Sequence, residues 1–260
     1  MASQRVKAYR GVCSVNHLCF ADDLFIFYKY DTSSVQHIKD VLDTFHSLSG
    51  LKINPSKSQF FCAGLTHSER MAALHCLGFQ EGYLPIRYLG IPLVSRKLRK
   101  SDCAPLLEAI SGRIDHWATR WISYAGRIVL IKSVLQSIYA FWASIICIPK
   151  GVILDIERKF TAFLWHNTGA RIAWTNICFP KKEGGLGIGN LKDINLCFNL
   201  KHFWRFYCCR NTLWSKWIFG NYVKSGSIWT LHINNRHSWV MRMILGCRHF
   251  ARPLIEHKLG

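Results

Sequence analysis

Hydrophobic and polar positions alternate with a short period near the N-terminus of the chain. Two β-prone runs, 15–20 and 24–28, are separated by the three residues 21–23, and this pattern predicts a β-hairpin. A short strand is expected at 59–62. The stretch 83–94 is predicted to be extended, because its two prolines restrict the hydrogen bonding of the backbone.

Helical spacing appears between these runs. A helix is expected to begin at Thr32 or Ser33, either of which can act as its N-cap, and to stop at Gly50. A shorter helix is expected to open at Ser68 and to end at Gly78.

From residue 102 onward the helical period dominates, with a third helix of this region expected over 152–165. Residues 167–190 are glycine-rich and predicted to be irregular, and helices resume after Asn190. The pattern as a whole predicts an α+β fold. Two apolar stripes define the first helices: Leu106, Leu107, Ile110, Ile114 and Trp117, then Ile128, Ile131, Leu135, Ile138 and Trp142.

The charge balance points to an anionic partner. The 260 residues include 34 Lys and Arg against 15 Asp and Glu, which gives a formal net charge of +19. Such a surface attracts polyanions because condensed counterions are released from phosphates. Basic residues interleaved with aromatic ones favour nucleic acid over an ordinary basic protein, and over an anionic membrane surface. Five tryptophans of the basic C-terminal third are either stacking platforms or core residues: Trp204, Trp214, Trp217, Trp229 and Trp239.

Cysteine usage and the N-terminus bear on location. The eleven cysteines show no C-x-x-C spacing, so neither a zinc clip nor a disulfide framework is expected. The N-terminus has no apolar segment typical of a secretory signal. The longest uncharged run, 133–149, is better interpreted as a buried helix than as a membrane span. We therefore expect a protein of the nucleus or cytoplasm that is not secreted and has no transmembrane segment.

Asp22 and Asp23 are the sharpest chemical feature of the sequence. Two adjacent carboxylates repel each other and resist desolvation among apolar neighbours. A divalent cation such as Mg²⁺ would remove that penalty and could serve nucleotidyl transfer. The alternative is a plain turn, in which Asp bonds its own backbone.

The motif Phe20-Ala21-Asp22-Asp23 resembles the Phe/Tyr-Ala-Asp-Asp box of reverse transcriptases, particularly those of plant LINE-type (non-LTR) retrotransposons. The resemblance extends over about 16–245, although the family often has proline at the position of Tyr139. Further motifs follow in the family's order: Gly50-Leu51-Lys52-Ile53-Asn54 with Lys57-Ser58, Tyr88-Leu89-Gly90-Ile91-Pro92, Ala125-Gly126-Arg127, Leu130 to Leu135, Phe163-Leu164-Trp165, Trp174, and Lys182 to Ile188.

The resemblance implies RNA-templated DNA synthesis, with RNA template and DNA primer as partners and no small-molecule cofactor. Asp22 and Asp23 would hold Mg²⁺, or Mn²⁺ in its place. Lys57 would meet the nucleotide's phosphates or protonate pyrophosphate, unless it is simply an exposed loop lysine. Arg127 and Lys132 either contact the duplex or extend along apolar surface to solvent. The residues expected to contact nucleic acid are Lys52, Tyr88, Gly90, Arg96, Lys97, Arg99, Lys100, Arg127 and Lys132.

The same resemblance divides the chain into a partial palm over 1–95, a thumb-like helical region over 96–166 and a basic, aromatic extension over 167–260. Family members place another metal-binding aspartate upstream of the Asp-Asp box, whereas this sequence has no acid before Asp22. We therefore predict a truncated polymerase that does not polymerise alone. Two other readings remain open: a pure nucleic-acid-binding module, and a degenerate element fragment without a role.

Overall fold

The computed structural model of the chain describes residues 16–94, 96–119, 121–166, 168–169, 171–209, 211–223, 226–235 and 237–255. The fold is α+β, as predicted, with helices predominating over short strand pairs. Residues 1–15, including the predicted strand residue Val15, lie outside the described ranges. Within those ranges, no helix combines the length and the apolar character needed to cross a membrane.

Six strands form three two-stranded sheets, β1–β2, β3–β4 and β5–β6. Their bounds are β1 His17–Phe20, β2 Asp23–Ile26, β3 Gln59–Phe60, β4 Gln80–Glu81, β5 Ile86–Tyr88 and β6 Ile91–Leu93. The helices are α1 Thr32–Ser49, α2 His67–Leu77, α3 Ala104–Ala118, α4 Tyr124–Leu130, α5 Gln136–Ala143, α6 Lys150–Leu164, α7 Trp174–Ile177, α8 Leu191–Cys208, α9 Leu213–Ile218, α10 Trp239–Gly246 and α11 Arg248–Ala251.

The chain divides into two compact units. Unit 1 comprises 1–86 with 211–224, and unit 2 comprises 87–210 with 225–260. The expected division into palm, thumb and extension concerns functional regions, and it stays a prediction beside these structural units.

In unit 1, the N-cap of the helix α1 lies one residue before the nearer of the two predicted caps. Its N-cap is Asp31, whose side chain accepts from the backbone N–H of Ser34, so the prediction of Thr32 or Ser33 as the cap is wrong. A carboxylate competes well for this position because it bonds the unpaired N–H groups of the first turn. The helix stops at Gly50 with φ of 74°, as predicted.

The N-terminal part of unit 1 has a small hydrophobic cluster. Val35, Phe60 and Ala73 are the buried residues of this cluster, and they come from α1, β3 and α2. The helix α2 begins with a capping box between Thr66 and Glu69. Most of the apolar stripe on α1 beyond Val35 is exposed; the exposed fractions are 66% at Val41, 49% at Phe45 and 84% at Leu48.

Unit 2 contains the main hydrophobic core. The stripes predicted on α3 and on the helical stretch 124–143 both face this core, as does most of the apolar surface of α6. Its largest fully buried side chains include Tyr139 and Phe160. The predicted helices after residue 102 are thus confirmed, and the physical reason is that their apolar faces bury one another.

A feature that the sequence did not predict interrupts the second of these helices. Between α4 and α5 the backbone forms a π-helical turn over Ile131–Leu135, which shifts the register of the side chains that follow. The glycine-rich segment lies along this helix: Gln136 Nε2 donates to Gly189 O at 2.5 Å, and the hydroxyl of Tyr139 donates to Leu191 O at 2.8 Å.

Replacing Tyr139 with phenylalanine should lower the free energy of unfolding by about 1 kcal/mol, because a buried carbonyl loses its side-chain donor. Tyr139 is fully buried, and burial raises the pKa of its hydroxyl above the usual range. Urea denaturation of Tyr139→Phe measures the change, with Tyr124→Phe as the control because Tyr124 is 43% exposed. Equal stabilities of the two variants would show that the hydrogen bond contributes nothing.

Candidate metal centre and nucleic-acid interface

The hairpin β1–β2 carries the carboxylate pair. Its antiparallel register pairs Phe20 with Asp23, so the tip consists of Ala21 and Asp22 alone. Asp23 is the first residue of β2, and the prediction that it belongs to the turn is wrong. Ala21 has a positive φ of 51°, a backbone geometry that lets a two-residue loop match the twist of the strands.

Both carboxylates are exposed to solvent. Residues paired across an antiparallel ladder share a face, so Asp23 lies on the same face as Phe20, which is 58% exposed. The desolvation penalty expected from the sequence is therefore absent in this chain, and only the mutual repulsion of neighbouring charges remains as a reason for a cation.

The chemistry of the pair suits a hard cation, because Mg²⁺ prefers carboxylate oxygens together with retained waters. A two-metal site needs more donors than two carboxylates. Among the described residues, no group of three or more His, Cys, Asp or Glu side chains is arranged to hold a metal. The donor set is thus partial, and we derive no catalytic step from it.

Asp31 is the next carboxylate along the chain, and its oxygens are already engaged. They accept from the backbone and hydroxyl of Ser34 at 2.7 Å each, and from the hydroxyl of Ser33. These hydrogen bonds lower the pKa of Asp31 to about 2. Asp31 therefore acts as a helix cap in this structure.

Lys52 and Lys57 lie in the connection between α1 and β3, and both are exposed. The turn before Lys57 is built by Asn54, whose side-chain oxygen accepts from the backbone N–H and the hydroxyl of Ser56. Such Asx turns fix a loop without a regular ladder. The two lysines thus stand on an ordered loop, accessible to a phosphate.

Tyr88 and Gly90 lie at the tip of the hairpin β5–β6. Leu89 and Gly90 form its two-residue turn with φ of 52° and 79°, the geometry that favours glycine in tight hairpins. Tyr88 is half-buried and Gly90 is exposed. The segment predicted to be extended is therefore a hairpin.

Two of the four basic side chains in the run 96–100 form ion pairs within the protein. Arg96 forms a two-pronged ion pair with Asp102, at 2.6 and 2.8 Å, and Asp102 also accepts from the backbone N–H of Arg99 at 2.7 Å. Lys100 pairs with Asp155 at 2.6 Å. The side chains of Lys97 and Arg99 are exposed and remain available to phosphates.

Arg127 and Lys132 reach inward rather than to solvent. Arg127 donates to Leu164 O at 3.3 Å, and Lys132 Nζ donates to Leu186 O at 2.9 Å. Both are half-buried. Their contact with nucleic acid stays a prediction. Each side chain already has a backbone carbonyl as its partner, and the hydrogen bond of Lys132 is the shorter of the two.

One exposed aromatic residue was missed from the sequence. Trp121 follows α3 and is fully exposed, although its spacing from Trp117 would continue the apolar stripe of that helix. The helix ends at Ala118, so the side chain leaves the core. The position of Trp121 between the end of one helix and Ser123, the N-cap of the next, was the sequence feature that could have predicted its exposure.

Comparison with known proteins gives a family match that includes the hairpin β1–β2. Residues 1–93 match the family model described as reverse transcriptase (RNA-dependent DNA polymerase). The N-terminal 93 residues carry a reverse transcriptase domain. The match includes the Asp22-Asp23 hairpin, the Lys57 loop and the tip of β5–β6.

A plant protein is similar to about half of the chain. It is a protein of Arabidopsis thaliana with the name "Putative ribonuclease H protein", 32% identical over 130 residues, which is 48% of this chain. The chain covers 21% of the length of that relative. The reverse transcriptase domain and this relative together indicate a retroelement protein.

Proposed function

We propose that this chain is a polymerase fragment of a LINE-type, non-LTR retrotransposon that binds an RNA template and a DNA primer but does not polymerise by itself. The observation that carries the proposal is the exposed Asp22-Asp23 hairpin inside the reverse transcriptase match. Mg²⁺ would bind these carboxylates in a site completed by a further acidic ligand. The described residues offer no third carboxylate beside them.

Nucleic-acid binding is supported by charge and accessibility. The chain carries a net charge of +19. Three of the predicted contacts, Lys52, Lys97 and Arg99, are exposed, as is Lys57 of the predicted catalytic residues. Contacts of this kind bind phosphates of any sequence, so their affinity falls steeply as salt increases.

Primer extension tests the catalytic half of the proposal. The chain, mixed with a primed RNA template, deoxynucleotides and Mg²⁺, should bind the template but give no extended product. Synthesis that disappears in Asp22→Ala would contradict the proposal, because it would show a complete polymerase site in this polypeptide.

Binding is measured in parallel by fluorescence anisotropy of the same primed template. Asp22→Ala/Asp23→Ala should bind like the charge-matched control Asp40→Ala/Asp43→Ala, whose acids lie exposed on α1. Replacing both Lys97 and Arg99 with alanine should reduce the salt slope by about 1 to 2. Absence of binding by the unmodified chain at low salt would contradict the proposal.

A further inference from the structure

The tryptophans of the C-terminal third differ sharply in exposure. Trp204 and Trp214 are 49% and 42% exposed, whereas Trp217, Trp229 and Trp239 are half-buried. Trp214 stacks flat on Trp217, with ring centroids 5.4 Å apart and an interplanar angle of 6°. Trp204 is thus the most exposed of these five tryptophans.

Basic residues flank Trp204 on the exposed face of α8. Lys201 and Arg205 are exposed. Lys201 lies three residues before Trp204 and four before Arg205, so it neighbours both on the surface of the helix. Between Asp193 and Cys209 the sequence contains no acid. We call Lys201, Trp204 and Arg205 the α8 stripe.

The rings behind the stripe support it from the core. Trp204 contacts Tyr207 at 5.8 Å between ring centroids, Tyr207 contacts Trp229 at 5.7 Å, and Trp229 contacts the fully buried Phe203 at 4.9 Å. The loop of Trp229 is held in turn by Arg248, which donates to Trp229 O and Leu231 O at 2.8 Å each. A ring held in this way loses little conformational entropy when a ligand stacks on it.

We propose that the α8 stripe binds single-stranded nucleic acid, with a base stacked on Trp204 and the neighbouring phosphates on Lys201 and Arg205. The inference rests on the proposed nucleic-acid binding and adds a site outside the reverse transcriptase match. An exposed aromatic ring beside two cations, on a stretch of helix without acids, has the chemistry of sequence-tolerant single-strand binding. The charge selects a polyanion over a neutral or basic protein partner.

The test compares two probes of equal charge. A fluorescent thymidine oligonucleotide of about 20 nucleotides, longer than the site of one typical binding fold, is titrated beside an abasic strand of the same length. The unmodified chain should prefer the strand with bases by about tenfold, because stacking on one aromatic ring contributes about that much. Trp204→Ala should bind both strands equally, and Trp204→Phe should keep a reduced preference.

Phe141→Ala is the matched control. Phe141 is also 49% exposed but lies on α5, which carries no Lys or Arg, so this variant should keep the full preference. Lys201→Ala/Arg205→Ala should instead weaken binding to both strands and reduce the salt slope by about 1.4, since each phosphate contact of a single strand contributes about 0.7. Circular dichroism checks that each variant is folded.

The outcomes separate this inference from the proposed function. If the chain binds the primed template and Trp204→Ala retains the preference for bases, the α8 inference is wrong while the proposed function stands. If the unmodified chain binds no nucleic acid at low salt, both fail. A dimer that dissociates in Trp204→Ala, with unchanged preference for bases, would assign the stripe to self-association and overturn the inference.

Discussion

Replacing Gly185 with alanine is expected to lower the free energy of unfolding by about 3 kcal/mol, at the upper end of the usual range for overpacking. A Cβ atom at this position would lie 2.0 Å from Phe179 O and 2.5 Å from Phe179 C. These are backbone atoms, which cannot rotate away as the end of a flexible side chain can. The loop would have to move as a whole.

That movement would break a connected set of hydrogen bonds. Gly185 N–H donates to Pro180 O, Leu186 N–H donates to Ile177 O at 2.9 Å, and Leu186 O accepts from Lys132. We therefore expect the loss to spread to the contact between the glycine-rich segment and the helix that bears Lys132.

Gly112→Ala is the matched control for Gly185→Ala. Gly112 lies inside α3, and a Cβ atom there would meet nothing within 4 Å, so alanine should be neutral or stabilise the chain by up to about 1 kcal/mol. Urea denaturation followed by circular dichroism measures both variants. Equal stabilities of the two variants would contradict the overpacking of a Cβ atom against Phe179.

Asp102→Asn is expected to reduce stability at pH 7 by about 2 kcal/mol, because a nearly buried carboxylate loses its charged hydrogen bonds. The side chain of Asp102 is 4% exposed, and that of Arg96 is 40% exposed. Solvent screens the exposed side of the guanidinium, so we place the effect below that of a fully buried ion pair.

The effect should depend on pH with a defined sign. The guanidinium of Arg96, followed by the backbone N–H of Arg99, holds the pKa of Asp102 below its usual range. A carboxyl whose folded pKa lies below its unfolded value, about 3.9, stabilises the fold above that value and loses this contribution as pH falls through the folded pKa. The difference between the unmodified chain and Asp102→Asn should therefore shrink below about pH 4.

Urea denaturation at pH 7 and at pH 3 measures this difference. Glu108→Gln is the control, because Glu108 is an exposed carboxylate on α3 and its replacement should change stability by less than about 0.5 kcal/mol. A constant difference between Asp102→Asn and the unmodified chain across this range would contradict the ion-pair account. It would also return Arg96 to the residues available for nucleic acid.

The hairpin β1–β2 shows which structural features the local sequence pattern can predict. Alternation predicted β1 and β2, since a strand exposes successive side chains on opposite faces, and the Asp-Asp box led to the reverse transcriptase resemblance that residues 1–93 bear out. The exposure of Asp22 and Asp23 was not predictable. Burial depends on what packs against a strand, and no local pattern encodes that.

The basic run 96–100 shows what the local sequence pattern cannot predict, namely which of its side chains form ion pairs. Four cations in five residues suggested a phosphate-binding surface, yet Arg96 and Lys100 are paired with Asp102 and Asp155. Asp102 is close in sequence, and its partnership could have been suspected. Asp155 lies 55 positions after Lys100, and only the packing of α3 against α6 brings such distant elements together.

The sequence by itself determined the α+β class, the positions of the principal helices and the family of the N-terminal segment, because periodicity, helix-ending glycines and a short motif are local properties. The tertiary structure alone decided which cations are free, which tryptophans are exposed and why Gly185 must be glycine. Those outcomes depend on distances between residues far apart in the chain, which are set when apolar faces bury one another and the remaining polar groups find partners.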